Sequence, residues 1–400
     1  MSSKIPPRGR LGTMQSQWLS RRTFLRTVGT GSAIVAGGGL LSACGNDPDS
    51  SSASSDNSTV DQQLNVANWP LYIDSKRVDG VKTYPSIEGF EQKSGVTVNY
   101  TEPINDMEEF FAKIRPVLSN NDDTGWDMFM LTDWTVARLL ALDWLQPLDR
   151  SNIPNADNVV ERLKSPPFDP DRSYSIPWQS GITGIAYDGT QTRPITSISD
   201  LLTNPDLAGS VSVLKDMRDT TGLVMLDQGS DPGDFTDDEF SAAIDTLQTA
   251  RDSGHIRQFT GNNYAQLLGQ GDVKACIAWS GDIFQLQLDN PDIKFVVPEA
   301  GGMLWSDNMV VPNEAQHKTN AELWMNYYCQ PAVAAQLSAW VNYICPIEGA
   351  QEEMAKIDES LAENPLIFPS AQDYAALSIF RGLSAEEDAK YTGQFQQLVV

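Results

Sequence analysis

The sequence predicts an α/β fold with mainly parallel sheets covered by helices on both faces. Three observations predict it. Short apolar runs of strand length alternate with segments of helical periodicity from residue 64 onward. Several helical segments open on a capping pattern or stop at a glycine. The chain has 400 residues, too many for one small domain and enough for two.

In chain order, Leu64–Trp69 reads as a strand and Pro85–Ser94 as a helix stopped by Gly95. Val96–Tyr100 alternates as a strand. Asn105-x-x-Glu108 resembles a capping box and opens a helix through Leu118, with Phe110, Phe111, Ile114 and Val117 on its apolar side. Asp127–Leu131 is a strand, followed by a helix from about Trp134 to Leu142. Gly181–Tyr187 and Ser210–Leu214 are strands. Thr236-x-x-Glu239 caps a helix to Ser253, with Phe240, Ala243, Ile244, Leu247 and Ala250 at three- and four-residue spacing before Gly254. Val273–Trp279, Ile293–Val297 and Met309–Val311 complete the strands, and helices dominate from Thr319 onward.

The first 43 residues differ from the rest. They hold Lys4, Arg8, Arg10, Arg21, Arg22 and Arg26 and no acid. Arg21-Arg22-Thr23-Phe24-Leu25 precedes a glycine-rich apolar run from Thr27 to Leu41, which is too short and too glycine-rich for a stable membrane span. The pattern reads as a twin-arginine export signal. Leu41-Ser42-Ala43-Cys44 resembles a bacterial lipobox, with Cys44 as the acylated residue. An ordinary secretory leader that happens to contain a cysteine is the other reading. Residues 44–63, rich in Ser, Asp and Asn, read as a flexible tether.

Charge and composition exclude several functions. With 28 basic against 53 acidic residues the net charge is −25. All six basic residues of the leader leave with it, so the remainder carries 22 against 53, a net of −31. A nucleic-acid binder needs a basic face, and this chain has the reverse. His255 and His317 are the two histidines, too few for a histidine-rich metal site or a histidine-based triad. No cofactor or metal is expected. After Cys44, the thiols Cys276, Cys329 and Cys345 remain. Cys329 and Cys345 could pair in an oxidising compartment, or all three could be structural thiols.

Functional chemistry gathers at the ends of the strands, where open parallel sheets bind their ligands. Trp69-Pro70-Leu71-Tyr72 follows the first strand and Thr132-Asp133-Trp134 follows the strand at Asp127. Asp216-Met217-Arg218-Asp219 follows Leu214, Trp279-Ser280-Gly281-Asp282 ends the strand at Val273, and Trp305-Ser306-Asp307 adds another aromatic–acid pair. Tryptophan faces and carboxylates with few cations nearby suit an organic cation. Each residue also has a plainer role: tryptophan as core plug, Asp133 or Asp282 as helix cap, Asp216 and Asp219 as ion-pair partners of Arg218. Repetition of one chemistry at several strand ends favours the site.

From Leu64 to about Phe380 the chain resembles the polyamine-binding (spermidine/putrescine) branch of bacterial ABC-transporter substrate-binding proteins. The resemblance is carried by Asn68-Trp69-x-x-Tyr72, Trp126-Asp127-x-x-x-x-Thr132 and Pro167-Phe168-Asp169-Pro170 with Tyr174-Ser175-Ile176-Pro177. Trp279-Ser280-Gly281-Asp282 and Gly301-Gly302-x-x-Trp305-x-Asp307 complete it. It implies a two-lobed periplasmic-binding-protein (type II) fold with the ligand cleft between lobes. Residues 64–182 and 306–350 would form lobe one, and 183–305 and 351–400 lobe two. It implies an aromatic box of Trp69, Tyr72, Trp279, Trp305 and Tyr343, a hydroxyl from Thr132, and Trp134 at a position where the family often has tyrosine. Asp219, Asp282 and Asp307 match acids that hold amine groups, and Asp216 matches one in the spermidine type. Leu71 replaces a common acid, Pro70 a small hydroxyl residue and Phe380 a glutamine.

The expectation is therefore a non-enzymatic, monomeric lipoprotein, periplasmic or on the outer face of the cytoplasmic membrane. It would deliver a polyamine-like cation to the membrane permease of an ABC importer by closing its lobes on the ligand. A binder of another amine or a quaternary ammonium is one alternative. A secreted hydrolase using paired carboxylates is another, and Asp216/Asp219 is the pair it would have to use.

Overall fold

The computed structural model describes residues 56–104 and 107–399. The signal segment, Cys44 and the proposed Asn105 cap lie outside the described residues. Twelve strands are described: β1 (Gln63–Ala67), β2 (Lys76–Val78), β3 (Val81–Thr83), β4 (Thr97–Thr101), β5 (Met128–Thr132), β6 (Ser175–Asp188), β7 (Val211–Leu214), β8 (Ile256–Thr260), β9 (Ala275–Trp279), β10 (Ile293–Val296), β11 (Gly302–Val310) and β12 (Leu377–Ser378). Apart from the β2–β3 hairpin, they form one sheet in the order β4-β1-β5-β11-β6-β9-β7-β8, with β10 on β6 and β12 on β11.

Each wing of this sheet is parallel. β1 runs parallel to β4 and β5, and β7 runs parallel to β8 and β9. The centre is antiparallel, because β11 pairs with both β5 and β6, and β6 with β9 and β10. The α/β class holds, with parallel pairing in the wings and in the short β11–β12 pair. One apolar core packs around β1 and β5, and a separate one around β7 and β9. β6 and β11 cross between them. All fourteen residues of β6 are buried, so the strand is covered on both faces.

Two strands run longer than their sequence predicts, for one reason. Polar residues such as Gln179, Ser180, Ser306, Asp307 and Asn308 interrupt the apolar runs, yet they are buried and paired within the sheet. The β6–β11 register shifts between Asp307 and Asn308, which face Gln179 and Pro177, leaving Trp178 as the extra residue. A bulge there re-aims the neighbouring side chains, and Pro177, with no N–H, fits an interrupted ladder. The Thr236/Glu239 capping box forms as expected on the helix Asp237–Asp252.

Two expectations change on contact with the structure, and the cysteines follow one of the two readings open to them. Residues 56–62 are not a free tether. Asp56 accepts hydrogen bonds from the Thr319 N–H and hydroxyl in the first turn of the helix Lys318–Tyr328, and Asn57 donates to the Gln316 carbonyl. Met354, Ala362 and Ile367, placed by sequence in lobe two, pack in the core around β1. Cys276, Cys329 and Cys345 are all free and buried. Burial pushes the Cys329 and Cys345 thiols up to about 12 and about 11.

Candidate functional site

Four sequence-predicted aromatics form a continuous line across the middle of the sheet. The Tyr72 ring meets Tyr343 edge-on at 5.5 Å, Tyr343 meets Trp305 at 5.5 Å, and Trp305 meets Trp279 at 6.3 Å. Tyr264 extends the line, meeting Trp279 at 5.7 Å. Edge-to-face geometry of this kind points the edge of one ring at the face of the next. The line starts on residues that pack with the β1 core, passes over β11, and ends on Tyr264 in the β9 core.

Bare backbone lets two of these rings lie where they do. Trp305 and Gly181 are register partners, and a Cβ on Gly181 would sit 2.2 Å from the Trp305 ring. A Cβ on Gly281 would sit 2.7 Å from the Tyr343 ring. Larger residues at either position would displace the ring.

Three predicted acids lie along the same line, each in a different state. Asp282 is already satisfied: Tyr264 donates to one carboxylate oxygen at 2.7 Å and Tyr343 to the other at 3.0 Å. Burial raises its pKa, and those two hydroxyls oppose the rise. Asp219 accepts the Trp279 indole N–H at 2.7 Å. Burial, then the neighbouring Asp216, pushes its carboxyl up to about 8, against hydrogen bonds from Trp279 and Thr183. Asp307 is 4% exposed, and its Oδ1 is buried without a hydrogen-bond partner. The buried Tyr72 hydroxyl is likewise unpartnered; it lowers the Asp307 carboxyl from nearby without completing a hydrogen bond. Burial lifts Asp307 to about 8, with Asp133 adding to the rise. A buried carboxyl and a buried hydroxyl that lack partners are costly unless something else supplies them.

The other predicted residues are used differently. Thr132 faces Asp307 across the β5–β11 register, and its hydroxyl pairs with that of Thr135 at 3.0 Å. Trp69 donates its indole N–H to the Met130 carbonyl at 3.2 Å and packs on the β1 core. Asp216 is the N-cap of the helix Met217–Asp227, accepting from the Asp219 N–H at 2.9 Å. The cap roles considered for Asp133 and Asp282 fall instead to Thr132 and Trp279, whose backbones open those helices. Asp133 accepts from the Ser306 N–H and the Asn308 amide, and burial holds it at about 6. Leu71 is 56% exposed, and Phe380 packs against Phe235.

Trp134 lies outside the ring line. Two guanidinium groups lie against its indole, Arg138 at 4.8 Å and Arg218 at 4.4 Å. Both arginines pair with Asp388, Arg218 at 2.6 Å, and Arg138 also pairs with Glu108 at 3.1 Å. The described ion pair of Arg218 is with Asp388, and its charge also lowers the Asp219 carboxyl. Arg138 stands on the helix Asp133–Ala141, packed with the β5 core, while Arg218 and Asp388 stand on helices packed with the β7 core. This network ties the two halves at the rim.

Sequence reasoning missed Tyr264, Thr183, Asp388 and the two glycines. Thr183 and Gly181 carried a signal, since both stand on one face of a strand already assigned. Tyr264 and Asp388 carried none. Among the described residues no group of three or more His, Cys, Asp or Glu side chains is placed to hold a metal ion. A recess of about 300 Å³ lined by Arg150, Lys164 and Arg172 shares no residue with the aromatic line.

Comparison with known proteins identifies the family and the fold. The family described as bacterial extracellular solute-binding protein matches residues 86–369. The spermidine/putrescine-binding periplasmic protein of Escherichia coli is 25% identical over 288 residues, 72% of this chain and 80% of that protein. The putrescine-binding periplasmic protein PotF of Escherichia coli is 26% identical over 334 residues, 78% of this chain and 85% of that protein. Among solved structures, a putative spermidine/putrescine ABC transporter protein of Listeria monocytogenes superposes with a TM-score of 0.73 at 24% identity, over 84% of this chain and 98% of that one. The TpPotD lipoprotein of Treponema pallidum superposes at 0.71 with 21% identity, over 84% and 99%. These structures share the two-lobed α/β fold. The chain belongs to the bacterial extracellular solute-binding proteins, in the family that includes the polyamine-binding components of ABC importers.

Proposed function

We propose that this protein is the lipid-anchored, extracytoplasmic binding component of an ABC importer and that it takes a putrescine- or spermidine-like cation between two lobes. The observation that carries the reading is Asp307. Its buried oxygen and the Tyr72 hydroxyl lack partners at the head of a line of rings, and among the described ion pairs none involves Asp219, Asp282 or Asp307. An ammonium group supplies both the charge and the N–H donors such a place lacks, and the ring faces suit a cationic alkyl chain. Relatives named for spermidine and putrescine support the same class.

The lobes we propose follow the two cores, with residues 183–305 and the end of the chain on one side. Residues 64–182 and 306–350 form the other, joined by 351–368 through their packing. β6 and β11 would carry the hinge, and ligand would favour the closed form by touching both sides. The anchor rests on the sequence at Cys44; Cys44→Ala should leave the exported protein unattached to membranes, measured by fractionation.

A thermal-shift screen against putrescine, spermidine, spermine, agmatine and betaine tests the ligand class, since ligand stabilises the native state by mass action. Primary amines should raise the melting temperature. Betaine, with no N–H to donate to Asp307, should leave it unchanged. No shift with any amine would overturn the proposal.

A further inference from the structure

We propose that Gly181 and Thr183 are positioning residues that fix the angle of the Trp305 ring and lock it to Trp279, so that β6 sets the shape of the aromatic site. The inference rests on the amine-binding reading for its effect on affinity, and on the geometry alone for its effect on the rings.

The two residues stand on one face of β6, two positions apart. Gly181 faces Trp305 directly in the ladder, and its missing side chain leaves the space that the indole fills: an added Cβ would lie 2.2, 2.7 and 2.7 Å from three ring carbons. The indole therefore lies flat along β6. The five-membered ring of the indole reaches Thr183, whose hydroxyl accepts the Trp305 Nε1–H at 3.1 Å. The Thr183 hydroxyl is fully buried and lies close enough to Asp219 to lower its carboxyl. Asp219 accepts the Trp279 Nε1–H at 2.7 Å. Trp279 is in turn the ladder partner of Thr183.

The result is a set of contacts that ties Trp305 to Thr183, Thr183 to its ladder partner Trp279, and Trp279 to Asp219. It holds the two indoles at 74° to one another. Both contacts act through other residues. Neither Gly181 nor Thr183 needs to touch a ligand.

Three variants test this. Thr183→Val keeps the shape and removes the hydroxyl; Thr183→Ser keeps the hydroxyl; Gly181→Ala fills the cradle. Near-ultraviolet circular dichroism of the unliganded protein reads indole orientation directly. The signal should change in Thr183→Val and Gly181→Ala and return in Thr183→Ser. Calorimetric titration with putrescine and spermidine should show about a tenfold loss for Thr183→Val, the scale of one hydrogen bond, and near wild-type affinity for Thr183→Ser. An unchanged indole signal in Thr183→Val, or a Thr183→Ser protein as impaired as Thr183→Val, overturns the proposal. A wild type that binds no amine overturns the functional reading instead, and leaves the spectroscopic comparison to decide the positioning role.

Discussion

The two halves of the molecule meet at two places built from the same materials, and the protein treats charge oppositely in each. At the rim, Trp134 is flanked by Arg138 and Arg218, and both arginines share Asp388. The cations are the protein's own, and they are matched. Inside, Trp279, Trp305, Tyr343 and Tyr72 run beside Asp219, Asp282 and Asp307, and none of those acids is in a described ion pair. Desolvation there holds two carboxyls near 8. A buried acid without a cation is strained toward its neutral form, whereas one offered a cation ionises. On the proposed reading, the difference teaches where a ligand's charge belongs: beside the interior acids, none of which has a described ion pair.

The largest effect is expected at Asp307. Asp307→Asn should weaken putrescine binding by roughly 1.5–3 kcal/mol, the value of a hydrogen bond to a charged group, with the melting temperature held or slightly raised. Asp282→Asn should do the reverse. Its carboxylate accepts from Tyr264 and Tyr343, so an amide loses one acceptor and costs about 1 kcal/mol of stability, with a smaller effect on affinity. Calorimetric titration and thermal melts on both variants decide the contrast. If Asp307→Asn melts lower and binds as before, Asp307 is a brace for β11.

Next in size is a proton linkage confined to the interior. Asp219 and Asp307 keep protons in the unliganded fold up to about pH 8, while the unfolded chain loses them near 3.8. Between those values the native state binds more protons, so stability of the unliganded protein falls as pH rises toward 8. An incoming ammonium favours the ionised acids, so binding expels protons and affinity rises over the same range, by up to about tenfold per unit for each proton released. Melting temperature without ligand and affinity should thus run in opposite directions with pH. Titrations in buffers of different ionisation enthalpy count the protons; none released would refute the linkage.

Much of this site was legible in the sequence, because strand ends are local features and Trp279, Asp282, Trp305 and Asp307 sit at or beside them. Tyr343 came only through resemblance, standing in a loop after a helix with no pattern of its own. What stayed hidden depends on partners far away in the chain. Asp388 meets Arg218 across 170 positions, and Tyr264 meets Asp282 from a helix nothing singled out. Thr183 looked like one more strand residue, since its role is to bridge two indoles on different strands. Trp134 shows the converse error. An aromatic after a strand suggested a ligand platform, but two of the protein's own guanidinium groups lie against its ring.

The smallest effect belongs to the rim, and it sharpens the comparison most cleanly. Asp388→Asn leaves Arg138 with Glu108 but strips Arg218 of its described ion pair, on side chains only 19% and 11% exposed. Since the network joins the two halves, it favours the closed form before any ligand enters, and losing it should weaken binding by about 1 kcal/mol through a lower closed population. Trp134→Leu should cost somewhat less, about the 0.5–1 kcal/mol of a partly exposed cation–π contact. Salt separates this region from the interior, because the rim network reaches solvent through Glu108, 43% exposed, whereas the interior acids Asp219 and Asp307 are buried and screened less. Affinity of the wild type should fall as salt rises, and Asp388→Asn should blunt that fall while leaving the pH dependence intact. Asp307→Asn should blunt the pH dependence and keep the fall with salt. If Asp388→Asn alters the pH profile and not the salt response, the rim and the interior are one electrostatic unit, and the division drawn between them fails.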